Sequence, residues 1–89
     1  MGSEKQKIEE LKKQGYKEVT VWDTVTDYGQ RDHSHPFDTY IFILDGEIEI
    51  SIGGKISILK SDDEARIPKD ILHHAKLGPN GCRYITAEK

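Results

Sequence analysis

The chain is poor in several things that would have placed it quickly. It has one cysteine, Cys82, so an internal disulfide is impossible and a reducing, cytoplasmic setting is expected. No apolar stretch approaches the roughly 20 residues of a membrane-spanning helix. The first residues, Met1-Gly2-Ser3-Glu4-Lys5-Gln6, show neither the apolar core of a signal peptide nor the Ser or Thr that myristoylation favours at position 6. Lys and Arg are scattered and the net charge is −3, which leaves no footprint for a phosphate backbone. Nucleic acid and membrane are thus unexpected partners. Low-complexity tracts and internal repeats are missing too.

What remains is an ordinary globular composition, 35% hydrophobic and 33% charged over 89 residues. That length holds one domain with a small core. Such domains commonly gain stability from a metal ion, sheet closure or self-association, so a homodimer is expected. Cys82 falls in a strand-like stretch and reads as a small buried hydrophobe, with no visible base to activate it.

Residues 1–15 read as a short helical segment and 16–89 as the main domain. Ile8 and Leu11 share a helical face, Ser3 is a candidate N-cap, and Gly15 is placed as a stop. Beyond it the period changes to that of strands. Tyr16, Val19, Val21 and Val25 give strands with a break near Asp23. Tyr40 to Leu44 is an apolar run, Asp45-Gly46 signals a hairpin turn, and Glu47 to Ile52 alternates. The alternation puts Ile48, Ile50 and Ile52 inside and Glu47, Glu49 and Ser51 in water. After a Gly53-Gly54 turn, Ile56 and Ile58 are expected to continue the inward face, and Ser61-Asp62-Asp63 breaks the chain again. Strands at Ala65–Ile67, Leu72–Leu77 and Cys82–Thr86 follow, the last two divided by the turn formers Gly78-Pro79-Asn80-Gly81. Seven or eight short strands predict an all-β sandwich, jelly roll or small barrel.

Within that frame three histidines converge. His33 and His35 are two apart, so an extended backbone sends both from one face. In the later segment His73, Ala75 and Leu77 form the apolar series, and His74 and Lys76 the polar one, which makes His73 the interior histidine. Three neutral imidazoles suit Fe, Mn, Ni, Cu or Zn and leave coordination positions open. Solvated loop histidines are the plain alternative for His33-Ser34-His35. Aromatics Trp22, Tyr40, Phe42 and Tyr84 read as packing residues, as does Tyr28. Arg31 and Arg66 flank the histidine segments and read as surface residues, each able to grip a carboxylate.

These segments resemble the two motifs of the cupin superfamily. The first motif runs His-x-His, a Glu, and a Gly seven residues after the Glu. Here His33, His35 and Gly46 match, whereas Thr39 stands where the Glu would be and Gly29 falls two residues later than the motif's first glycine. In the second motif Pro68 and His73 match, while Asp62 and Asp70 replace glycines. Asp tolerates left-handed backbone better than most residues. The resemblance implies a cupin-type jelly-roll β-barrel with one short N-terminal helix. It also implies a divalent metal (Fe, Mn, Ni or Zn) held by His33, His35 and His73. Without the Glu the metal would keep its full charge and favour an anionic ligand, unless Asp38 supplies a carboxylate; an exposed outer-face role for Asp38 is the plainer reading. The functions implied are a metal-dependent enzyme of dioxygenase or isomerase type on a small anionic metabolite, or a non-catalytic cupin module binding a metabolite or metal. A metal-free epimerase, with histidine as base and tyrosine as acid, is a third.

Overall fold

A computed structural model describes residues 3–24 and 32–89 of the chain. Helix α1 (Ser3–Lys13) is followed by strands β1 (Lys17–Thr24), β2 (Thr39–Ile52), β3 (Lys55–Lys60), β4 (Glu64–Ile67) and β5 (His73–Glu88). Tyr28, Gly29 and Arg31 lie outside the described residues, as does Val25. No described helix is long and apolar enough to cross a membrane.

The helix ends where its glycine requires. Gly15 takes φ +91, the Tyr16 amide donates to the Leu11 carbonyl at 3.0 Å, and the Gly15 amide donates to Lys12 at 3.1 Å. This is a Schellman cap, and it satisfies carbonyls the last turn would otherwise leave open. Leu11, 2% exposed, carries the helix's apolar stripe into a cluster with Tyr40, Phe42, Ile85 and Ala87. The helix therefore lies on its own chain's sheet. Arg83 holds it there, donating to Glu4 from the helix and, at 3.0 Å, to Asp23.

All described strand pairs are antiparallel, in the order β1-β5-β2-β3 with β4 on β2. Strands β2 and β5 are long and bent, and each serves two layers. The first half of β2 lies between β4 and the end of β5, and its second half between β3 and the start of β5. Ile41 and Ile43 from one layer meet Ile48 and Ile50 from the other in one core, with Leu59, Ile67 and Cys82. The inward parity changes from odd to even along β2 because the register shifts between Ile43 and Ile48.

That shift corrects two expected turns. Asp45-Gly46 does not reverse the chain; β2 runs through it as a bulge, with Gly46 at φ +88. A Cβ there would sit 2.5 Å from the Gly81 carbonyl oxygen, so only glycine fits. Likewise Gly78 to Gly81 is no loop but a widened part of β5 opposite Glu47. Left-handed glycines serve bulges as well as turns, and here β5 stays paired with β2 on both sides of them. Near the expected break at Asp23, β1 runs one residue further, with Asp23 opposite Arg83, and ends at Thr24. Five strands among the described residues, two of them long, thus replace seven or eight short ones.

Gly53-Gly54 is the two-residue turn expected, both residues at positive φ (57 and 86) as a type I′ hairpin needs. It pairs Ile52 with Lys55, Ile50 with Ser57 and Ile48 with Leu59. Cross-strand partners share a face. Leu59 is therefore buried at 8%, and Ile56 and Ile58, expected inside, are 63% and 57% exposed. Ser51, expected in water, is buried at 5% on the opposite face. Trp22 lies half exposed along β1, its indole donating to the Thr86 hydroxyl at 2.9 Å, whereas Tyr40, Phe42 and Tyr84 pack as expected. Arg66 is exposed.

Candidate metal centre

Two segments bring the histidines together, the stretch holding His33 and His35 and the start of β5 at His73. The backbones of His33 and His73 exchange two hydrogen bonds, 2.9 Å and 2.8 Å, forming an isolated antiparallel bridge. Directly opposed residues project from one face, so the two rings meet with centroids 4.3 Å apart. His35, two residues on, is held by its carbonyl accepting from the Asp70 amide at 2.8 Å. Its ring lies 5.0 Å from His33 and 5.1 Å from His73. One ligand atom from each histidine falls within 4.8 Å of the others.

His73 is the buried member, 6% exposed, and sits cross-strand from Ile52 in the row that continues through Ala75 and Leu77. Its Nδ1 donates to the Ile71 carbonyl at 3.1 Å, which fixes the proton there and leaves Nε2 as the lone pair. Burial holds its pKa below the ordinary histidine value, outweighing the upward pull of the Ile71 carbonyl, with His33 and His35 pushing it further down and Asp32 up by less. A neutral imidazole is the form a metal requires. Phe37 stacks on the His35 ring, centroids 5.0 Å apart and nearly parallel.

Thr39 starts β2 on the parity of Ile41 and Ile43, and its Oγ1 is buried with no hydrogen-bond partner among the described residues. An unpaired buried hydroxyl is uncommon and calls for a physical account. Asp38 is engaged elsewhere, exposed and accepting from the Lys69 amide at 2.9 Å. The two aspartates at glycine positions of the motif do adopt left-handed backbone, Asp62 at φ 71 and Asp70 at φ 64. Asp70 thereby turns the chain so that its amide reaches His35.

Some supporting groups are hard to read in one dimension. The Ile71 carbonyl, the Phe37 ring and the pair of Asp32 with His74, whose Nδ1 lies 2.6 Å from the carboxylate, all support the centre. Asp32 and His74 become neighbours only once His33 opposes His73. Cys82 is buried, and burial, then Asp45, pushes its thiol up to about 11, as befits a packing residue. Tyr40 sits beneath the helix and donates to Glu64; burial and that bond raise its pKa, which counts against it as a proton donor at the histidines.

The chain belongs to the cupin family: the cupin domain model matches residues 24–85. No curated protein matches it. Among solved structures it is similar to HppE in its Fe(II) form (TM-score 0.70, 20% identity, covering 80% of this chain and 41% of that one). It is also similar to KdgF from Halomonas sp. (TM-score 0.67, 18% identity, covering 79% and 66%). An RmlC-like cupin from Shewanella frigidimarina matches with TM-score 0.64 and 22% identity, covering 79% and 64%. At these identities the likeness is one of fold, and this chain spans well under two thirds of HppE's length.

Proposed function

We propose that this cupin holds one divalent ion, of Fe, Mn, Ni or Zn, through His33, His35 and His73, and that the open positions take a small anionic metabolite. The observation that carries the reading is the convergence of three imidazole donors within 4.8 Å, one of them buried and fixed in its tautomer by Ile71. The donor set fits the ion: three imidazole nitrogens, one ring oriented by a hydrogen bond to Ile71, and no carboxylate in the cluster among the described residues. When bound, the ion would supply Lewis-acid polarisation of a ligand oxygen at full 2+ charge. The chain's own residues orient the donors, with Ile71 and Phe37 setting two rings and Asp70 holding the His35 backbone. Thr39 supports the anionic preference, since an unpaired hydroxyl in the interior can donate to an oxygen where a carboxylate would repel it.

The test is metal content of untagged protein by mass spectrometry, beside a His35→Ala variant. About one ion per chain in the parent and a large loss in the variant are expected. Both metal-free after growth in supplemented medium would end the proposal. The Fe(II) of the similar HppE structure supports a catalytic, dioxygenase-like or isomerase-like role. A non-catalytic binding module is the second reading, since at 20% identity the likeness to that enzyme is one of fold. Oxygen uptake by Fe(II)-loaded protein with small thiols, diketones and phenolic acids separates the two. A cytoplasmic location and a homodimer belong to the same proposal, on the grounds of a single cysteine and a small core.

A further inference from the structure

Strand β3 is an edge, pairing with β2 alone among the described residues. Its hairpin fixes which backbone groups point outward. Across a two-residue turn the closing pair, Ile52 and Lys55, is hydrogen-bonded, so Lys55, Ser57 and Leu59 aim their amides and carbonyls at β2. Ile56, Ile58 and Lys60 aim theirs away. Lys60 is already satisfied: its amide donates to the Asp63 carboxylate at 2.8 Å, and its carbonyl accepts from the Asp63 amide at 2.9 Å. Among the described residues, what remains open on the edge is the backbone of Ile56 and Ile58, the same two residues whose side chains are 63% and 57% exposed.

We propose that this edge binds a second copy of the chain, β3 against β3 about a two-fold axis through Ser57, with Ile56 of each copy opposite Ile58 of the other. Three observations select that partner and register. An antiparallel pair with Ile56 opposite Ile58 lets both open residues exchange their hydrogen bonds, and shifting it by two residues either way leaves one facing Gly54 or the capped Lys60. The same register brings four isoleucines into one apolar patch. Charge agrees: Lys55 then faces Leu59 and Lys60 faces Gly54, whereas a shift by one residue sets Lys55 against Lys60 twice. Lys60 also keeps Glu47 opposite it within its own hairpin. An edge this short falls below the about 800 Å² per partner of a standard interface, so a weak, reversible association is expected. The interface leaves the histidine centre untouched, and its failure would not bear on metal binding.

Sedimentation of the full chain from about 1 to 500 µM should show a reversible monomer–dimer equilibrium. Ile58→Lys, at an exposed site that tolerates charge, should weaken association at least tenfold while metal content stays unchanged. The register has its own readout. Ser57 faces its symmetry mate in a non-hydrogen-bonded pair, where Cα atoms approach to about 4.5 Å, within reach of a disulfide. Ser57→Cys should therefore cross-link to itself under mild oxidation, and Lys55→Cys should not. Monomers at every concentration, a dimer indifferent to Ile58→Lys, or equal cross-linking by the two cysteine variants would each overturn the proposal.

Discussion

Replacing Thr39 by Val should stabilise the metal-free protein, which is unusual for a change inside a natural core. Threonine and valine have the same branched shape, so strand preference and packing are retained and the substitution reports the hydroxyl alone. That hydroxyl is buried and unpaired. A buried polar group without a partner costs roughly 1–3 kcal/mol. Because the residue as a whole is only partly buried, we expect the lower end, about 1 kcal/mol of added stability. In a domain of this size that corresponds to a rise in melting temperature of about 4–8 °C. Urea titration and calorimetry in the presence of a chelator would measure it. The slope of free energy against urea should not change, since the exposed surface is the same. A loss of about 0.5 kcal/mol or more would mean the hydroxyl has a partner in solution and would refute the argument. The gain should also carry a functional cost, because a hydroxyl kept unpaired at the expense of stability is a common property of binding sites.

Other expectations follow from single contacts. Gly46→Ala places a methyl 2.5 Å from the Gly81 carbonyl at φ +88, and should cost at least about 3 kcal/mol by urea titration. Gly15→Ala, at φ +91 with nothing within 4 Å, should cost only about 1 kcal/mol, and equal costs would contradict the bulge. Leu11→Ala should cost about 2–4 kcal/mol, since that side chain anchors the helix at 2% exposure; a value near zero would show the helix undocked in solution. The Cys82 thiol, raised from 9.0 to about 11, stays neutral in the folded chain after it would ionise in the unfolded one. Its contribution to stability is therefore full below pH 9.0 and declines as pH rises toward about 11. Cys82→Ala should flatten that part of the stability profile, and alkylation at pH 8 should proceed only once the chain is unfolded; fast labelling of native protein would count against the buried placement.

Much of the centre was visible in one dimension because it depends on short-range geometry. Two histidines two apart must share a face if the backbone is extended, and alternation around His73 tells which of His73 and His74 turns inward. The Gly15 cap, the Gly53-Gly54 turn and the left-handed aspartates are equally local, being matters of φ alone. Even the outward placement of Ile56 and Ile58 was within reach: a two-residue turn that pairs Ile52 with Lys55 already settles it. Matching apolar residues by spacing alone concealed it.

Pairing between distant segments was not available in the same way. Asp45-Gly46 and Gly78 to Gly81 carry the residues of turns, and positive φ is what both turns and bulges need. Whether the chain reverses there or merely bends depends on the strand alongside. Only the continuous contact of β2 with β5 shows that both segments bend between two layers. The same holds at the histidine cluster. The local pattern supplied the three histidines and their facing, while the tertiary pairing of His33 with His73 decided that they meet, which carbonyl orients the buried ring, and which hydroxyl is left unpaired in the interior. Dihedral preferences and alternation belong to neighbouring residues and are written in their order. Register and orphaned polar groups belong to pairs of segments, and exist only once the sheet has closed.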